Sequence, residues 1–308
     1  MRQGLVIRST GSWYEVEAED GQLFQCRLRG KFKIKGLKVT NPLAVGDYVK
    51  FELEEGEEQT GVILEIIPRD NYLIRQSSRK AYHGHIIASN LDQAVLVATL
   101  VMPRTSFGFI DRFLVTCEAY HIPAVLLFNK NDLLDEDTLE YQREVMAMYE
   151  RIGYSCLEIS AETGDGLDRF FKKLNGKKTL LAGHSGVGKS TLINRIDPAI
   201  QQRTSEVSTF ANKGVHTTTF AEMFKTGPNT YIIDTPGIKE FGLWDAKDEN
   251  LAMYFPEMRK YAESCKFHNC THVHEPKCAV RQAVEDGIIA IPRYENYLSM
   301  LTGEDNRK

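Results

Sequence analysis

The chain has 308 residues and a mass of 35.0 kDa, enough for two or three domains with cores of their own. Apolar residues make up 42% of the sequence and charged residues 26%, as in an ordinary globular protein. The net charge of −4 excludes a uniformly basic coat for nucleic acid, so any such binding requires a local basic patch. The sequence shows neither a signal-peptide core nor an apolar run approaching the ~18 residues of a membrane span, so we expect a cytoplasmic protein that binds no membrane.

Short β-like runs separated by turn residues fill residues 1–68 and predict a small barrel or sandwich. Within them, the stretch CRLRGKFKIKG carries a cation at every second residue. In an extended strand these side chains share one face, which favours a stripe that contacts RNA phosphates. The alternative is a solvated strand face, and a bulge at Gly30 would break the register. The predicted RNA-binding residues are Arg27, Arg29, Lys31, Lys33 and Lys35.

Apolar strands alternate with helical stretches, such as 135–152 and 189–196, between residues 69 and 243. This alternation is typical of βαβ units on a largely parallel sheet. Helix-like segments without strands follow, around a window that is rich in cysteine. We therefore predict three domains, at 1–68, 69–243 and 244–308.

The stretch FNKND at 128–132 follows an apolar strand and has the residues of a loop that reads guanine. The Asp132 carboxylate can accept hydrogen bonds from both N1–H and N2–H of guanine, a pair that adenine does not offer. The stem of Lys130 would cover the face of the ring, and Asn129 would connect this loop to the phosphate-binding loop. Alone the motif is a weak signal, because Asn and Asp commonly form turns.

A second stretch, ISAETG at 159–164, also follows an apolar strand and resembles the companion loop of a guanine site. Ser160 and Ala161 are its candidate binding residues, and the backbone N–H of Ala161 would read guanine O6. The two motifs together predict a base pocket for guanine more strongly than either does alone.

The stretch GHSGVGKS at 183–190 fits the phosphate-loop pattern G-x-x-x-x-G-K-[ST], between an apolar strand and a helix-compatible run. Its glycines let backbone N–H groups surround the β-phosphate, Lys189 reaches the β- and γ-phosphate oxygens, and Ser190 binds Mg²⁺. The predicted nucleotide-binding residues of this stretch are Gly183, Ser185, Gly186, Val187, Gly188, Lys189, Ser190 and Thr191.

Two further stretches follow the phosphate loop, KGVHTTTF at 213–220 and YIIDTPG at 231–237. Asp234 ends a strand and would bind Mg²⁺, while the N–H of Gly237 would contact the γ-phosphate. The threonine-rich stretch is placed to give Mg²⁺ a hydroxyl. The sequence alone does not decide which threonine does so, and Thr218 is our candidate from the set Thr217, Thr218 and Thr219.

Ile238 stands where Ras-type GTPases carry a glutamine that orients the attacking water. Isoleucine cannot polarise water, so the site needs another polar group or a partner that supplies one. His216, beside the threonines, is the candidate substitute, and the alternative is a surface histidine without a catalytic role.

The window CKFHNCTHVHEPKC at 265–278 supplies three thiolates together with imidazole side chains. Three thiolates and one imidazole complete a closed, structural zinc site with no open position. The cysteines are Cys265, Cys270 and Cys278, and the histidine is one of His268, His272 and His274.

The order of the nucleotide motifs is unusual, because the base-reading loops precede the phosphate loop and the two switch stretches. This order predicts a circularly permuted GTPase domain, which is tolerated because domain termini usually lie close together. With the cysteine window, the chain resembles the ribosome small-subunit-dependent GTPase A (RsgA) family over essentially its whole length.

The resemblance implies a multidomain α/β fold, with an N-terminal OB-fold barrel, a circularly permuted P-loop GTPase domain and a C-terminal helical zinc-binding domain. It implies a monomeric GTPase that uses Mg²⁺ and binds rRNA in late maturation of the small (30S) ribosomal subunit, which stimulates hydrolysis. It also implies that His216 is catalytic and that His272 is the fourth ligand of one structural Zn²⁺. Because of Ile238, a non-catalytic, GTP-gated RNA-binding scaffold remains the alternative, whereas an adenine-specific ATPase conflicts with Asp132.

Overall fold

The structure is a computed structural model of the chain, and its described residues form two compact units. It describes residues 1–30, 39–54, 59–76, 84–200, 222–234 and 248–303, without the side chains of 75, 76 and 248–250. Within these ranges, the first unit takes its residues from Met1–Val95, Asp168–Ala182 and Lys189–Ile238, and the second from Leu96–Leu167, Gly183–Gly188 and Lys239–Lys308. None of the described helices is both long enough and apolar enough to cross a bilayer.

Five strands of the first unit close into a small barrel. They are β1 (Arg2–Ser9), β2 (Tyr14–Ala18), β3 (Leu23–Leu28), β4 (Tyr48–Leu53) and β5 (Thr60–Ile66). Neighbouring strands follow the order β1-β2-β3-β5-β4, and β4 pairs with β1 to close the ring. β3 and β5 run parallel, and the other pairs are antiparallel. This closed order confirms the OB-type barrel that the resemblance implied.

Alternating side chains fill the barrel. Along β3, Phe24 and Cys26 point inward and are buried, while Gln25 and Arg27 are exposed. The ring of Phe24 packs against that of Phe51 on β4, with centroids 5.3 Å apart. Other buried residues of this core are Val6, Tyr14, Val16, Leu43, Val49 and Ile63.

A hairpin of β6 (Tyr72–Gln76) and β7 (Gly84–Ser89) lies beside the barrel, and a buried carboxylate is one of the groups that attach it. Asp47 is fully buried just before β4, and it accepts hydrogen bonds from Arg69 Nε and Nη2, both at 2.6 Å. Its Oδ1 also accepts the hydroxyl of Ser89 at 2.6 Å. The carboxylate is thus paired, as a buried charge must be.

The first unit also contains β11 (Lys178–Ala182), β12 (Glu222–Gly227) and β13 (Thr230–Asp234), most of α3 (Leu167–Leu174), and α4 (Lys189–Ile196). β13 lies parallel to β11 and antiparallel to β12. β12 in turn pairs with barrel strand β1, where Glu222 stands opposite Arg8. The barrel and these three strands are therefore joined by backbone pairing.

The second unit contains β9 (Ala124–Phe128), β10 (Ser155–Glu158) and the end of β8 (Gln93–Ala98), in the order β10-β9-β8. β9 and β10 are parallel, as the βαβ pattern predicts. The helices of this part are α1 (Phe107–Ala119), α2 (Glu136–Ile152) and a short 3₁₀ helix at Asn131–Leu133. The side chain of Asp135 caps α2 by accepting the N–H of Thr138 at 2.9 Å, and Gly153 ends the helix at φ 116°.

The C-terminal part of the second unit is helical, and one buried arginine connects its helices to α1. It consists of a 3₁₀ helix at Asp248–Tyr254, α5 (Pro256–Ala262), α6 (Ala279–Glu285) and α7 (Ile291–Thr302). Arg293 on α7 is fully buried and donates to Asp111 on α1 at 2.5 Å and to Glu257 on α5 at 2.7 Å. Asp111 also accepts the hydroxyl of Tyr149 at 2.9 Å.

Candidate functional site

Asn129 connects three loops of the second unit. The residue is 3% exposed, and it lies directly after β9. Its Nδ2 donates to the carbonyl oxygen of Val187 in the phosphate loop at 2.8 Å, and its Oδ1 accepts the N–H of Ala161 in the loop after β10 at 2.9 Å. One buried amide therefore holds the two candidate base-reading loops and the phosphate loop together, as expected of the asparagine in this motif.

The other candidate residues of the base pocket surround this amide. Asp132 is exposed, and its Oδ1 accepts the hydroxyl of the buried Ser160 at 2.5 Å. Lys130 has a left-handed backbone at φ 72° and donates its ammonium to the carbonyl oxygen of Met102 at 2.7 Å. Because the N–H of Ala161 already donates to Asn129, it would have to be shared with guanine O6 to read the base.

The phosphate loop needs glycine at both of its ends. Gly183 has φ 145°, and a Cβ there would lie 2.4 Å from the carbonyl oxygen of Val97. Gly188 has φ 95°, and a Cβ there would lie 2.3 Å from Nδ2 of Asn129. Between them, Ser185 and Gly186 are exposed. Val187 is fully buried, so its side chain anchors the loop.

The first unit holds the charged groups predicted to contact phosphate and Mg²⁺. Lys189, Ser190 and Thr191 form the first turn of α4, and the latter two are exposed. Asp234 is the last residue of β13. Burial lowers the pKa of Lys189, and the negative charge of Asp234 acts in the opposite direction. The lysine and the aspartate therefore interact within this unit.

The cysteine window folds into a compact cluster in the second unit. The ligand atoms of Cys265, Cys270, His272 and Cys278 all lie within 4.8 Å of one another. The sulfur atoms of Cys265 and Cys278 are 3.9 Å apart, and His272 Nδ1 lies 3.6 Å and 3.3 Å from them. A tetrahedral ion with bonds of about 2.3 Å to sulfur requires sulfur–sulfur distances of roughly 3.8 Å. The four residues therefore fit a metal ion, whereas His268 and His274 are exposed and outside the cluster.

The loop that bears His272 is held by side chains from α7 and from within the loop. The hydroxyls of Tyr294 and Tyr297 donate to the carbonyl oxygens of His272 and Thr271, both at 2.6 Å. Glu275 accepts the N–H and the hydroxyl of Thr271 at 2.7 and 2.6 Å. Burial acts to raise the pKa of Glu275, but these hydrogen bonds outweigh it and lower the pKa to about 2.

The described part of the basic stripe differs from a continuous strand. Arg27 and Arg29 are exposed as predicted, but β3 ends at Leu28 and Gly30 has φ 74°, so the strand does not continue in register through the glycine. The guanidinium of Arg27 also pairs with the carboxylate of Glu54. The remaining cations of the stripe, Lys31, Lys33 and Lys35, lie outside the described residues.

The switch stretches also lie largely outside the described residues. These comprise the candidate catalytic His216, the threonines Thr217, Thr218 and Thr219, the candidate γ-phosphate contact Gly237, and Ile238. Of the predicted nucleotide-binding residues after the phosphate-loop helix, only Asp234 is described.

Family models match both the nucleotide motifs and the barrel. A model described as the RsgA GTPase matches residues 66–244, more than half of the chain. The chain belongs to the RsgA GTPase family. A second model, described as the RsgA N-terminal domain, matches residues 3–63.

Curated relatives extend this match over the full length. A protein of Bacteroides fragilis named "Small ribosomal subunit biogenesis GTPase RsgA" is 52% identical over 306 residues, which cover 99% of this chain and 98% of the relative. A protein of the same name from Christiangramia forsetii is also 52% identical and covers 99% of this chain and 97% of its own.

Solved structures show the same fold. YjeQ from Thermotoga maritima is 37% identical and superposes with a TM-score of 0.80. The match covers all of this chain and 99% of the YjeQ chain. YloQ, described as a circularly permuted GTPase, is 34% identical, has a TM-score of 0.77, and covers all of this chain and 96% of its own. The permuted motif order in this RsgA-family chain is therefore that of a known fold.

Some contacts in the described part of this RsgA-family chain had no sequence signal. The ring of His184 in the phosphate loop lies 3.8 Å from that of Phe109 on α1, measured between centroids. Glu17 of the barrel pairs with Lys225 and Tyr231 on β12 and β13. These pairs join residues that are far apart in sequence, and no periodicity or motif relates them.

Proposed function

We propose that this chain binds GTP in its permuted domain and hydrolyses it with Mg²⁺ while acting on the small ribosomal subunit. The observation that carries the GTP site is the pair of hydrogen bonds made by the amide of Asn129, one donated to Val187 and one accepted from Ala161, which bring the base-reading loops to the phosphate loop. The subunit is proposed because relatives 52% identical over 306 residues bear the name of a small-subunit biogenesis GTPase.

Base recognition is assigned to the two loops that Asn129 joins. Asp132 would accept N1–H and N2–H of guanine, and the stem of Lys130 would cover the ring. The hydroxyl of Ser160 already donates to Asp132 at 2.5 Å, which orients the carboxylate before the base arrives. The N–H of Ala161 would donate to guanine O6.

Phosphate recognition is assigned to the loop and to the start of α4. Its backbone N–H groups and Lys189 would surround the β- and γ-phosphates. Mg²⁺ would neutralise phosphate charge during transfer, and its candidate protein ligands are Ser190, Thr218 and Asp234. The N–H of Gly237 would contact the γ-phosphate. The residues proposed for the loop itself are Gly183, Ser185, Gly186, Val187, Gly188 and Thr191.

Water activation is assigned to His216, because Ile238 cannot polarise water. A neutral imidazole can accept a hydrogen bond from the attacking water and so orient it. We expect slow turnover by the protein alone, on the order of 10⁻⁴–10⁻³ s⁻¹, as in GTPases that lack a completed site.

The flanking regions are assigned to subunit binding and to folding. Arg27 and Arg29 of the barrel, together with Lys31, Lys33 and Lys35, would contact rRNA phosphates. We propose that Cys265, Cys270, His272 and Cys278 hold one structural Zn²⁺, because three thiolates and one imidazole favour zinc and leave no open position. We retain the domain limits 1–68, 69–243 and 244–308 and the monomeric state as predictions, and a ribosomal partner implies a cytoplasmic location.

The test is single-turnover GTP hydrolysis with and without purified small subunits. We expect the subunits to accelerate the wild-type protein strongly, and His216→Ala to remove most of that acceleration while GTP affinity stays near normal. Full acceleration of His216→Ala would place the catalytic group elsewhere.

The alternative class is a GTP-gated RNA-binding scaffold without catalysis, which stands because Ile238 cannot orient the attacking water. In that case, subunits would change GTP affinity but leave the hydrolysis rate as slow as in the free protein. The same assay therefore separates the two functions.

A further inference from the structure

Glu17 on β2 of the barrel contacts both strands of the β12–β13 pair. Its carboxylate accepts the hydroxyl of Tyr231 at 2.8 Å and pairs with the ammonium of Lys225. Glu17 and Tyr231 are each 8% exposed, and burial together with the bond to Glu17 raises the pKa of Tyr231, which therefore remains a donor. Lys225 on β12 and Tyr231 on β13 are paired across the two strands. The carboxylate of Glu17 therefore holds both strands at this one pair of residues.

A second attachment lies nearer the end of β13. Arg8 on β1 stands opposite Glu222 on β12, with Arg8 Nε 3.8 Å from Glu222 Oε1. Glu222 stands opposite Asp234, the candidate Mg²⁺ ligand. Two carboxylates directly opposite each other destabilise a ladder, and the arginine of the barrel offsets this repulsion. Arg8, Glu222 and Asp234 thus form a row that begins in the barrel and ends at the candidate Mg²⁺ ligand.

The space beside Glu17 is a polar cleft rather than an apolar core. A cavity of about 610 Å³ borders Glu17, Lys225 and Tyr231, and also Tyr48 of β4 and Lys178 of β11. The ammonium of Lys178 donates to the hydroxyl of Tyr48 at 3.1 Å across it. Beside the backbone pairing of β1 with β12, directional side-chain contacts join the strands along this cleft, and among these the carboxylate of Glu17 is buried.

We propose that Glu17 is a positioning residue for GTP hydrolysis, which holds β13, and with it Asp234, at a fixed place relative to the barrel. The inference rests on the function proposed above. When the barrel is bound to rRNA, it then sets the position of the end of β13. It does so through the contacts of Glu17 and through the pairing of Arg8 with Glu222, which stands opposite Asp234. Loss of the Glu17 contact lets β12 and β13 shift, so that binding to the subunit no longer sets the geometry around Mg²⁺. GTP affinity and subunit affinity do not depend on this contact.

The test compares Tyr231→Phe, Glu17→Gln and the double variant with wild type. Tyr231→Phe removes only the hydroxyl, and Glu17→Gln keeps the shape of the side chain. Glu65→Gln is the matched control, because it removes an exposed barrel pair between Glu65 and Lys50 (2.7 Å) that is remote from β12 and β13. Single-turnover hydrolysis is measured without and with saturating small subunits, alongside GTP affinity, subunit affinity and thermal unfolding.

In each single variant, we expect the acceleration of turnover by subunits to be about tenfold smaller than in wild type. This factor is within the range usual for coupling between sites. Unstimulated turnover, GTP affinity and subunit affinity should stay as in wild type. A general loss of stability would instead lower all of these together with the stimulated turnover. The double variant should lose more than either single variant, because Tyr231→Phe removes the hydroxyl bond and Glu17→Gln removes the negative charge that pairs with Lys225, while the glutamine oxygen can still accept a hydroxyl. Glu65→Gln should behave as wild type.

Three results would overturn the inference. One is undiminished acceleration in both single variants, and another is an equal fall of unstimulated and stimulated turnover. The third is a loss of acceleration in Glu65→Gln as large as in Glu17→Gln. A wild-type protein that small subunits do not accelerate would instead overturn the proposed function, and the inference with it.

Discussion

The amide of Asn129 offers the sharpest test of the nucleotide site, because it serves two backbone groups and is 3% exposed. Asn129→Ala leaves the carbonyl oxygen of Val187 and the N–H of Ala161 without their bonds of 2.8 and 2.9 Å. A buried polar group left without its partner costs about 1–3 kcal/mol. If one such cost appears in binding, the Kd for GTP rises about fivefold to 150-fold, since 1.4 kcal/mol is a factor of ten.

The chain offers a matched control in Asn71. Its side chain donates to the carbonyl oxygen of Leu91 at 2.9 Å and accepts the N–H of the same residue at 2.8 Å. Asn71 lies in the first unit, just before the β6–β7 hairpin. Asn71→Ala should lower the free energy of unfolding by a comparable amount and leave GTP affinity unchanged.

The assay is equilibrium titration with a fluorescent guanine nucleotide, combined with urea unfolding of each variant. A GTP affinity of Asn129→Ala within twofold of wild type, at a clearly lower free energy of unfolding, would refute the role given to the amide. It would show that the bonds stabilise the fold without arranging the base and phosphate loops for the ligand. Equal losses of affinity in both variants would refute it as well.

The remaining predictions concern the base, the metal and the buried ion pairs. Asp132→Asn should shift the preference from guanine towards xanthine at a cost of roughly 1–3 kcal/mol, by analogy with bidentate base contacts; unchanged GTP affinity in equilibrium binding would contradict it. Elemental analysis of protein purified without chelator should find one Zn²⁺ per chain, and a content near zero with intact circular dichroism would reject the structural role. Arg293→Met should cost about 3–5 kcal/mol in urea unfolding, because it leaves buried carboxylates unpaired. Arg259→Ala, which breaks the exposed pair with Glu118, should cost under about 1 kcal/mol, and similar losses in both variants would show that burial is not the cause.

The sequence predicted those features whose chemistry restricts both residue type and spacing. Glycines at 183 and 188 were expected from the phosphate-loop pattern, and both stand where a Cβ would collide with a neighbouring atom. The cysteine spacing predicted a cluster, and the histidine chosen by the family resemblance, His272, is the one that lies beside the sulfurs. The short β-like runs separated by turn residues predicted the barrel strands, and in β3 Phe24 and Cys26 face inward between exposed residues.

Other features depend on residues that meet only in the folded chain. The ion pairs of Arg293 with Asp111 and Glu257 join three helices, and no local pattern marks a charged residue that will be fully buried. The alternating cations of the sequence likewise give no sign that Arg27 pairs with Glu54. The sequence marks Gly30 as a place where the register can break, and the backbone shows that β3 ends before it, at Leu28.

The helix α1 limits how the chain can be shortened. On one turn it carries Phe109, whose ring lies against His184 of the phosphate loop, and Asp111, whose carboxylate is paired with Arg293 near the C-terminus. A fragment ending before α7 would keep every nucleotide motif, yet it would leave the Asp111 carboxylate without its guanidinium beside the contact to the phosphate loop. The last helix is therefore part of what a minimal nucleotide-binding fragment must contain, and a boundary chosen from the motifs alone would cut it away.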